Sequence, residues 1–509
     1  MTHASHFAVS TPDRAAAIFL PSGRSITFGA LEAAVNQAAN AMVALGLRRG
    51  DCIGLAITNR PEWLVAVLAA QRVGLFYVPL STKLSADDLA YVVGDSGAGV
   101  VVVSSGCFAL ETSGVLAQLS ARVFGIDLPA NEAEDWSALV ASQPTTLPAN
   151  PSRGRVMMYS SGTTGRPKGI RKPLPDGDFA TPDPADMAVA AGYAVTPASV
   201  FISPSPLYHA APHRFVGAAL HAGATVIIAD TFDAAAVLAA IEQYRCTHGL
   251  WVPTMFHRML QLPDEVRAGA DLSSQRYAIH GAAPCPEHIK RRMIAWWGPI
   301  VDEYYSGSEG VGSTRITSAE WLAHPGSVGR PADGIAHILG PDGAELPTGE
   351  TGDVYFGGNN AFEYWRDPAK TKGVVSAQGW RTFGDVGHID ADGYLYLTDR
   401  RHFTIISGGV NIYPQEIEAT LLEHPDVRDV AVIGVPSDDL GQQAVAVVEL
   451  VDTATAGTNC AEDLRQYVRQ RLGPVKTPKR IVFEPKLPRH DTGKLYKAGL
   501  IEKYRAGSH

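Results

Sequence analysis

Residues 52–103 read CIGLAITNRPEWLVAVLAAQRVGLFYVPLSTKLSADDLAYVVGDSGAGVVVV, and their rhythm decides the fold class. Apolar runs at Cys52 to Ile57, Phe76 to Leu80 and Gly99 to Val103 have strand length, and helical patterns from Glu62 and from Ala86 separate them. Strand and helix in alternation predict βαβ units and a mainly parallel sheet. Upstream, Phe28, Leu31, Val35, Met42 and Leu45 recur at helical spacing, with Gly46 as the stop. Downstream, a second such series is expected from Phe201 to about Tyr305, with strands at 226–230 and 249–253. Residues 326–397 differ, being Gly-rich with short β-type runs such as GDVYFGG and GYLYLTD. The last hundred residues predict a helix near 416–423, strands at 427–435, 444–450 and 480–484, and a helix from Ala461. The expected fold is therefore α/β. A large amino-terminal domain of βαβ-type sheets packed with helices covers 1–399, with a β-rich sub-domain at about 326–399. A hinge at 400–403 joins it to a small α+β carboxy-terminal domain at 404–509.

Composition narrows the function. The 509 residues are 46% hydrophobic and 19% charged, which excludes a disordered chain and supplies apolar surface for several cores. With 43 basic and 52 acidic side chains the formal charge is −9, and no Lys/Arg cluster forms a footprint for nucleic acid or an anionic membrane. The best candidate span, Trp63 to Leu80, is interrupted by Gln71, Arg72 and Pro79, so it reads as a buried helix followed by a strand. The start MTHASHFAVSTPDR has neither a basic head nor a continuous apolar core, which argues against a secretory signal. Cys52, Cys107, Cys246, Cys285 and Cys460 are scattered, with no close pair for zinc or redox chemistry. Reduced, buried thiols in a cytoplasmic protein, monomeric or homodimeric, are expected.

The segment YSSGTTGRPKGI, 159–170, carries the chemistry. Following a short strand expected at 156–159, its hydroxyls, small residues and single lysine suit a cradle around a phosphate chain. It is not the phosphate loop of nucleotide hydrolases, which needs Gly-Lys-Ser/Thr opening a helix, whereas Lys168 lies between Pro167 and Gly169. Taken alone, a surface loop of the same composition would look similar.

This segment resembles the phosphate loop of the acyl-adenylate-forming superfamily, in its acyl-CoA synthetase branch. The resemblance continues in the family's order through PLYHAAP (206–212), GAAPCP (281–286), EYYSGSEG (303–310), GWRTFGDVG (379–387), YLTDRRHFTIISGGVNIYPQEIE (396–418) and LPRHDTGKLYK (487–497), covering nearly the whole chain. It implies that a carboxylic acid and ATP give acyl-AMP and pyrophosphate, and that the coenzyme A thiol then gives acyl-CoA and AMP.

The same resemblance assigns roles. Lys494 matches the lysine that bridges the substrate carboxylate and the α-phosphate, and Glu309 the glutamate associated with Mg2+, with Thr163 beside it. Ser160, Ser161, Gly162, Thr163, Thr164, Gly165 and Lys168 would surround the phosphates, and Ser308 keeps the hydroxyl that the family often supplies from threonine. Tyr305 matches the ring stacked on adenine, and Gly281, Ala282, Ala283 and Pro284 match the wall beside that base. Asp385 and Arg400 match the ribose-contacting pair. One departure falls at the junction: the family commonly has Arg-x-Lys-Asp, and this chain has Arg400, Arg401, His402 and Phe403. The pivot is expected near His402 and Phe403, with domain packing as the other role open to Phe403.

For the acid, His209 in PLYHAAP stands at the mouth of the family's acyl and pantetheine tunnels, and an ordinary core histidine is the alternative. No carboxylate in SPLYHAAP could pair with an ammonium group, which disfavours amino acids. Apolar and aromatic segments that include Trp251 and Tyr304 suggest a fatty, aryl-alkanoic or polycyclic acid. Ser407, Gly408 and Gly409 give the small-residue backbone that a pantetheine arm could approach, so coenzyme A is the expected acceptor. Acyl transfer to a carrier protein and a non-catalytic ATP or acyl-AMP sensor are the alternatives.

Overall fold

The computed structural model describes residues 3–112, 114–160, 167–358, 361–401, 403–407, 410–437, 439–489 and 495–505. The chain divides into two compact units, one of 1–251, 262–279 and 361–372, the other of 252–261, 280–360 and 373–509.

The first unit contains the parallel sheet expected from residues 52–103. Cys52–Ala56 lies between Phe76–Pro79 and Ala98–Ser104, with Arg155–Val156 beyond the former and Arg122–Ile126 and Glu134–Asp135 beyond the latter. All of these pairs are parallel. Its central strands Cys52–Ala56 and Phe76–Pro79 are apolar and buried throughout because both faces are covered, whereas the edge strand Glu134–Asp135 is exposed. Val101 and Val103 pack with Leu89, Val92 and Val93 of the helix Ala86–Ser96, which Ser85 caps and left-handed Gly97 ends. A second sheet runs His248–Trp251, Val200–Ser203, Thr225–Ala229, Ala15–Leu20 and Arg24–Thr27, parallel except at its last pair.

Two strand expectations change. The strand expected at 156–159 is two strands: Arg155–Val156 joins the parallel sheet, and Met158–Ser160 joins a small antiparallel sheet. Met157, 1% exposed, is the crossing point, and hydrophobic period carries no signal for a change of partner. The strand expected at 249–253 stops at Trp251, because Pro253 opens the helix Pro253–Leu260 with its ring in the first turn. The five cysteines are free, but Cys285 and Cys460 are only partly buried.

In the second unit an antiparallel run follows the order Val301–Ser306, Ser313–Ile316, Ser327–Asp333, Leu395–Arg400, Asp385–Ile389, Gly352–Gly357 and Ile335–Leu339. Register shifts interrupt it at Ser313/Thr314, Ser327/Gly329 and Val386/Gly387. Such bulges increase local twist. Glycine is required at two of them. A Cβ on Gly329, at φ +100°, would stand 2.0 Å from the carbonyl oxygen of Arg315, and one on Gly387 would stand 2.2 Å from that of Tyr396.

The carboxy-terminal part of this unit is built on Val427–Ser437 paired antiparallel with Gly441–Leu450, which pairs parallel with Arg480–Phe483. Side chains alternate between two cores. Val430, Val432, Ala446 and Val448 pack with Ile417, Leu421, Leu464 and Val468 of two helices, while Ala431, Ile433, Val435, Val445 and Val447 pack with Leu487 and Leu500. No helix among the described residues is long and apolar enough to cross a membrane.

Gly329→Ala is expected to destabilise the protein by about 2 kcal/mol or more, from positive φ and the backbone clash together. Urea unfolding of both proteins measures it, and equal midpoints would show that the bulge relaxes at no cost.

Candidate active site

In the first unit, the phosphate-loop segment is framed by a hairpin. Ser160 pairs with Lys168, Tyr159 with Gly169 and Met158 with Ile170, and Glu363–Tyr364 adds a third strand against Ile170 and Arg171. Residues 161–166, which include Ser161, Gly162, Thr163, Thr164 and Gly165, lie outside the described residues. The frame itself is well braced. The Tyr159 hydroxyl donates to Asp95 Oδ2 at 2.6 Å, and the Trp365 indole donates to the Asp95 carbonyl at 2.9 Å. Burial, and then the Asp95 carboxylate, hold the Tyr159 hydroxyl above its ordinary range, so it remains a donor. The Arg171 guanidinium lies between the rings of Phe76 and Trp365, 4.1 and 4.0 Å from their centroids. Asp95 and Trp365 are supports that the motif does not reveal, since neither is near it in sequence.

His209 precedes the helix Ala210–His221, and its ring is 4.5 Å from that of Tyr208. Buried Asn59 fixes the loop that leads to it: its amide donates to the carbonyls of Ser205 and Ala229, and its oxygen accepts the Leu207 N–H at 2.8 Å. An asparagine inside the apolar run LAITNRPEWL is the signal that would have singled it out. One turn on, His213 Nε2 meets the Tyr77 hydroxyl at 2.9 Å, and burial lowers its pKa to about 3, so it is neutral. Trp251 is fully buried at its strand end against Gly249.

In the second unit, three expected residues meet. Asp385 and Arg400 are paired in register across neighbouring strands, with Arg400 Nε 3.3 Å from Asp385 Oδ1. The Tyr305 hydroxyl donates to Asp385 Oδ2 at 2.6 Å. Tyr305 and Asp385 lie on strands four places apart in the pairing order, so the sheet must curl to join them, and Phe356 and Phe383 fill the curl beside the tyrosine ring. Burial first, then Asp385, holds the Tyr305 hydroxyl well above its ordinary range, which keeps the proton on its oxygen. Phe383 is a support that sequence reading missed, placed two residues before Asp385 in an otherwise polar turn.

The segment 281–284 is closely packed at its glycine. A Cβ on Gly281 would stand 2.7 Å from both the Tyr304 carbonyl oxygen and its ring, and Ala282 adopts φ +68°. Ala282 and Pro284 are exposed, Ala283 is half-buried, Ser308 is exposed and Glu309 half-buried. A Cβ on Gly307 would stand 2.5 Å from the Phe383 ring, so the turn before Glu309 lies against that ring only because 307 has no side chain.

Lys494 lies in 490–494, outside the described residues, but its flanks are fixed. Arg489 donates to both oxygens of Asp429 at 2.6 Å and bridges to Leu495, Tyr496 N–H donates to the Pro488 carbonyl at 2.8 Å, and Lys497 Nζ is 2.7 Å from Glu418. At the junction, Asp399 and Arg400 end a strand, His402 lies outside the described residues, and the Lys497 ammonium is 5.3 Å from the centroid of Phe403. Ser407 pairs with Val410 and Gly441, and Gly408 and Gly409 lie outside the described residues.

Two family models match this chain: AMP-binding enzyme over residues 5–365, and AMP-binding enzyme C-terminal domain over 416–494. The chain belongs to the AMP-binding enzyme family. It is an AMP-forming acid–CoA ligase of mixed α/β fold. It is 33% identical to a feruloyl-CoA synthase of Amycolatopsis sp over 95% of this chain and 94% of that protein. It is 31% identical to a long-chain-fatty-acid–CoA ligase of Mycobacterium tuberculosis over 94% and 93%. Among solved structures, ATP-bound MatB from Rhodopseudomonas palustris matches with TM-score 0.84 and 29% identity, covering all of both chains.

Gly281→Ala is expected to raise the Kd for ATP roughly tenfold by pushing the wall away from Tyr304, as overpacking of about 1–3 kcal/mol implies. Calorimetric titration of ATP measures it, and an unchanged Kd would remove this segment from the nucleotide site.

Proposed function

We infer that this chain activates a hydrophobic carboxylic acid with Mg-ATP and transfers the acyl group to coenzyme A. The observation that carries the nucleotide half is the meeting of Tyr305, Asp385 and Arg400. A carboxylate already placed between a hydroxyl and a guanidinium is suited to accept from ribose hydroxyls, and the guanidinium adds donors beside it. In the first step a carboxylate oxygen of the acid attacks the α-phosphorus and the bond to pyrophosphate breaks. Two anions must approach, so the chain supplies cations: Lys494 toward the substrate carboxylate and α-phosphate, Lys168 toward the outer phosphates. Thr163, Thr164 and Ser308 add hydroxyl donors, and Ser160 to Gly165 add backbone ones. Glu309 fits magnesium as a single half-buried carboxylate, the donor type that this ion combines with phosphate oxygens. When bound, the ion would offset phosphate charge.

In the second step the thiol sulfur attacks the acyl carbon and AMP leaves with the bonding pair. Rotation of a body made of 404–509 about His402 and Phe403 would exchange Lys494 for the Ser407–Gly409 segment between the steps. The hydrophobic acid is supported by buried Leu207, Tyr208 and Trp251 and by the absence of a carboxylate from 206–212. The feruloyl and long-chain fatty acyl groups in the relatives' names agree with it.

Lys494→Ala is expected to lower acyl-adenylate formation by about a hundredfold or more while sparing thioester formation from supplied acyl-AMP. Equal loss of both steps would contradict its role. The substrate test is pyrophosphate release with Mg-ATP across short, fatty, aryl-alkanoic and polycyclic acids, with and without coenzyme A, read with mass detection of acyl-CoA. A thioester from one hydrophobic class is the expected result. Release without thioester points to a carrier protein as acceptor, and ATP binding without release points to a sensor.

A further inference from the structure

The lysine assigned to the outer phosphates is not waiting in solvent. The Lys168 ammonium is bound by the carboxylate of Asp367, a residue 199 positions away and outside the motifs of the nucleotide site. The pairing follows from the frame of the hairpin. Lys168 opens the return strand, Ile170 and Arg171 pair with Tyr364 and Glu363, and the chain then turns so that Trp365 N–H donates to the Gly169 carbonyl at 2.8 Å and Asp367 N–H to the Tyr364 carbonyl at 3.0 Å. Asp367 is held firmly. Its Oδ1 accepts the Lys370 N–H at 3.0 Å at the start of the helix Pro368–Gly373, and its carbonyl accepts the Thr371 hydroxyl at 2.9 Å. Its Oδ2 is the oxygen that faces Lys168. Asp367 is thus fixed by backbone contacts, whereas Lys168 reaches it through four flexible methylenes. The two side chains are 29% and 24% exposed, so the pair opens to water and can exchange.

We propose that Asp367 is a positioning residue that holds the Lys168 ammonium while the phosphate site is empty and competes for it with the outer phosphates of the nucleotide. The proposal rests on the nucleotide role inferred above for Lys168. Entry of Mg-ATP transfers the ammonium from carboxylate to phosphate, and departure of pyrophosphate is assisted because the carboxylate recaptures it. Both effects come from one competition, so they must change together. A part-exposed ion pair makes the difference modest, about two- to fivefold in affinity.

The test is calorimetric titration of the full chain with Mg-ATP and, separately, with magnesium pyrophosphate, for wild type, Asp367→Asn, Lys168→Ala and the double variant. Asparagine keeps the acceptor for the Lys370 N–H and removes only the charge, and Asp367→Ser, also a capping residue, serves if the Asn protein does not fold. The expected result is a Kd for both ligands lowered about two- to fivefold by Asp367→Asn, with no such change in the Lys168→Ala background. An unchanged or raised Kd, or the same tightening without Lys168, would overturn the proposal. Binding is read without an acid substrate, so a wild type that binds Mg-ATP but makes no acyl-AMP would defeat the ligase reading alone. A wild type that binds neither ligand would overturn both.

Discussion

Asp385 is the constraint around which the nucleotide side of the second unit is arranged. A carboxylate only 5% exposed must be matched by donors, and the two it has come from different directions. Arg400 is supplied by strand register, directly opposite. Tyr305 is four strands away and reaches it only because the antiparallel run curls, through bulges whose glycines allow one backbone to touch another. Phe356 and Phe383 occupy the space that the curl creates. The meeting of Tyr305, Asp385 and Arg400 therefore depends on glycine positions that bear no chemistry of their own.

The first unit solves a different problem. Its central parallel strands are buried, and the motif residues are carried by what leaves the sheets: the hairpin of Met158–Ser160 with Lys168–Arg171 and the turn before the helix Ala210–His221, pinned by Asn59. In each case a polar residue from a distant segment makes the loop definite. Buried Asn59 does this for Leu207, and part-buried Asp95 holds Tyr159 through its carboxylate and Trp365 through its carbonyl. Internal polar bonds of this kind fix one loop conformation because the alternative is an unsatisfied buried group.

These differences explain how much was legible beforehand. The run 52–103 showed its strands and helices to within about two residues because local period and burial agree there. The order of motifs singled out Tyr305, Asp385 and Arg400 from three separate segments, and the fold brings these three side chains together. What stayed hidden was partner choice: that residues 156–159 change sheets at Met157, that 361–372 belong with the first unit, and that Asp367 and Phe383 stand beside motif residues. Period reports which face of an element is buried, not which segment covers it. The amino-terminal strand Ala15–Leu20, paired with Thr225–Ala229, was missed for the same reason.

The carboxy-terminal sheet has a consequence for variation over time. With Val430 to Ile433 and Ala444 to Val448 committed alternately to two cores, these stretches offer no solvent-facing position where a charge could be tried, and the charged residues Arg428, Asp429 and Glu449 stand toward the strand ends. Change in this part of the chain is confined to the outer sides of its helices and to its turns. The segment around Lys494 is attached to the inner side, through Leu487, Leu495 and Leu500. A lineage can thus vary these turns and helix surfaces while Leu487 and Leu500, on either side of the 490–494 segment, are held on the ground least open to drift.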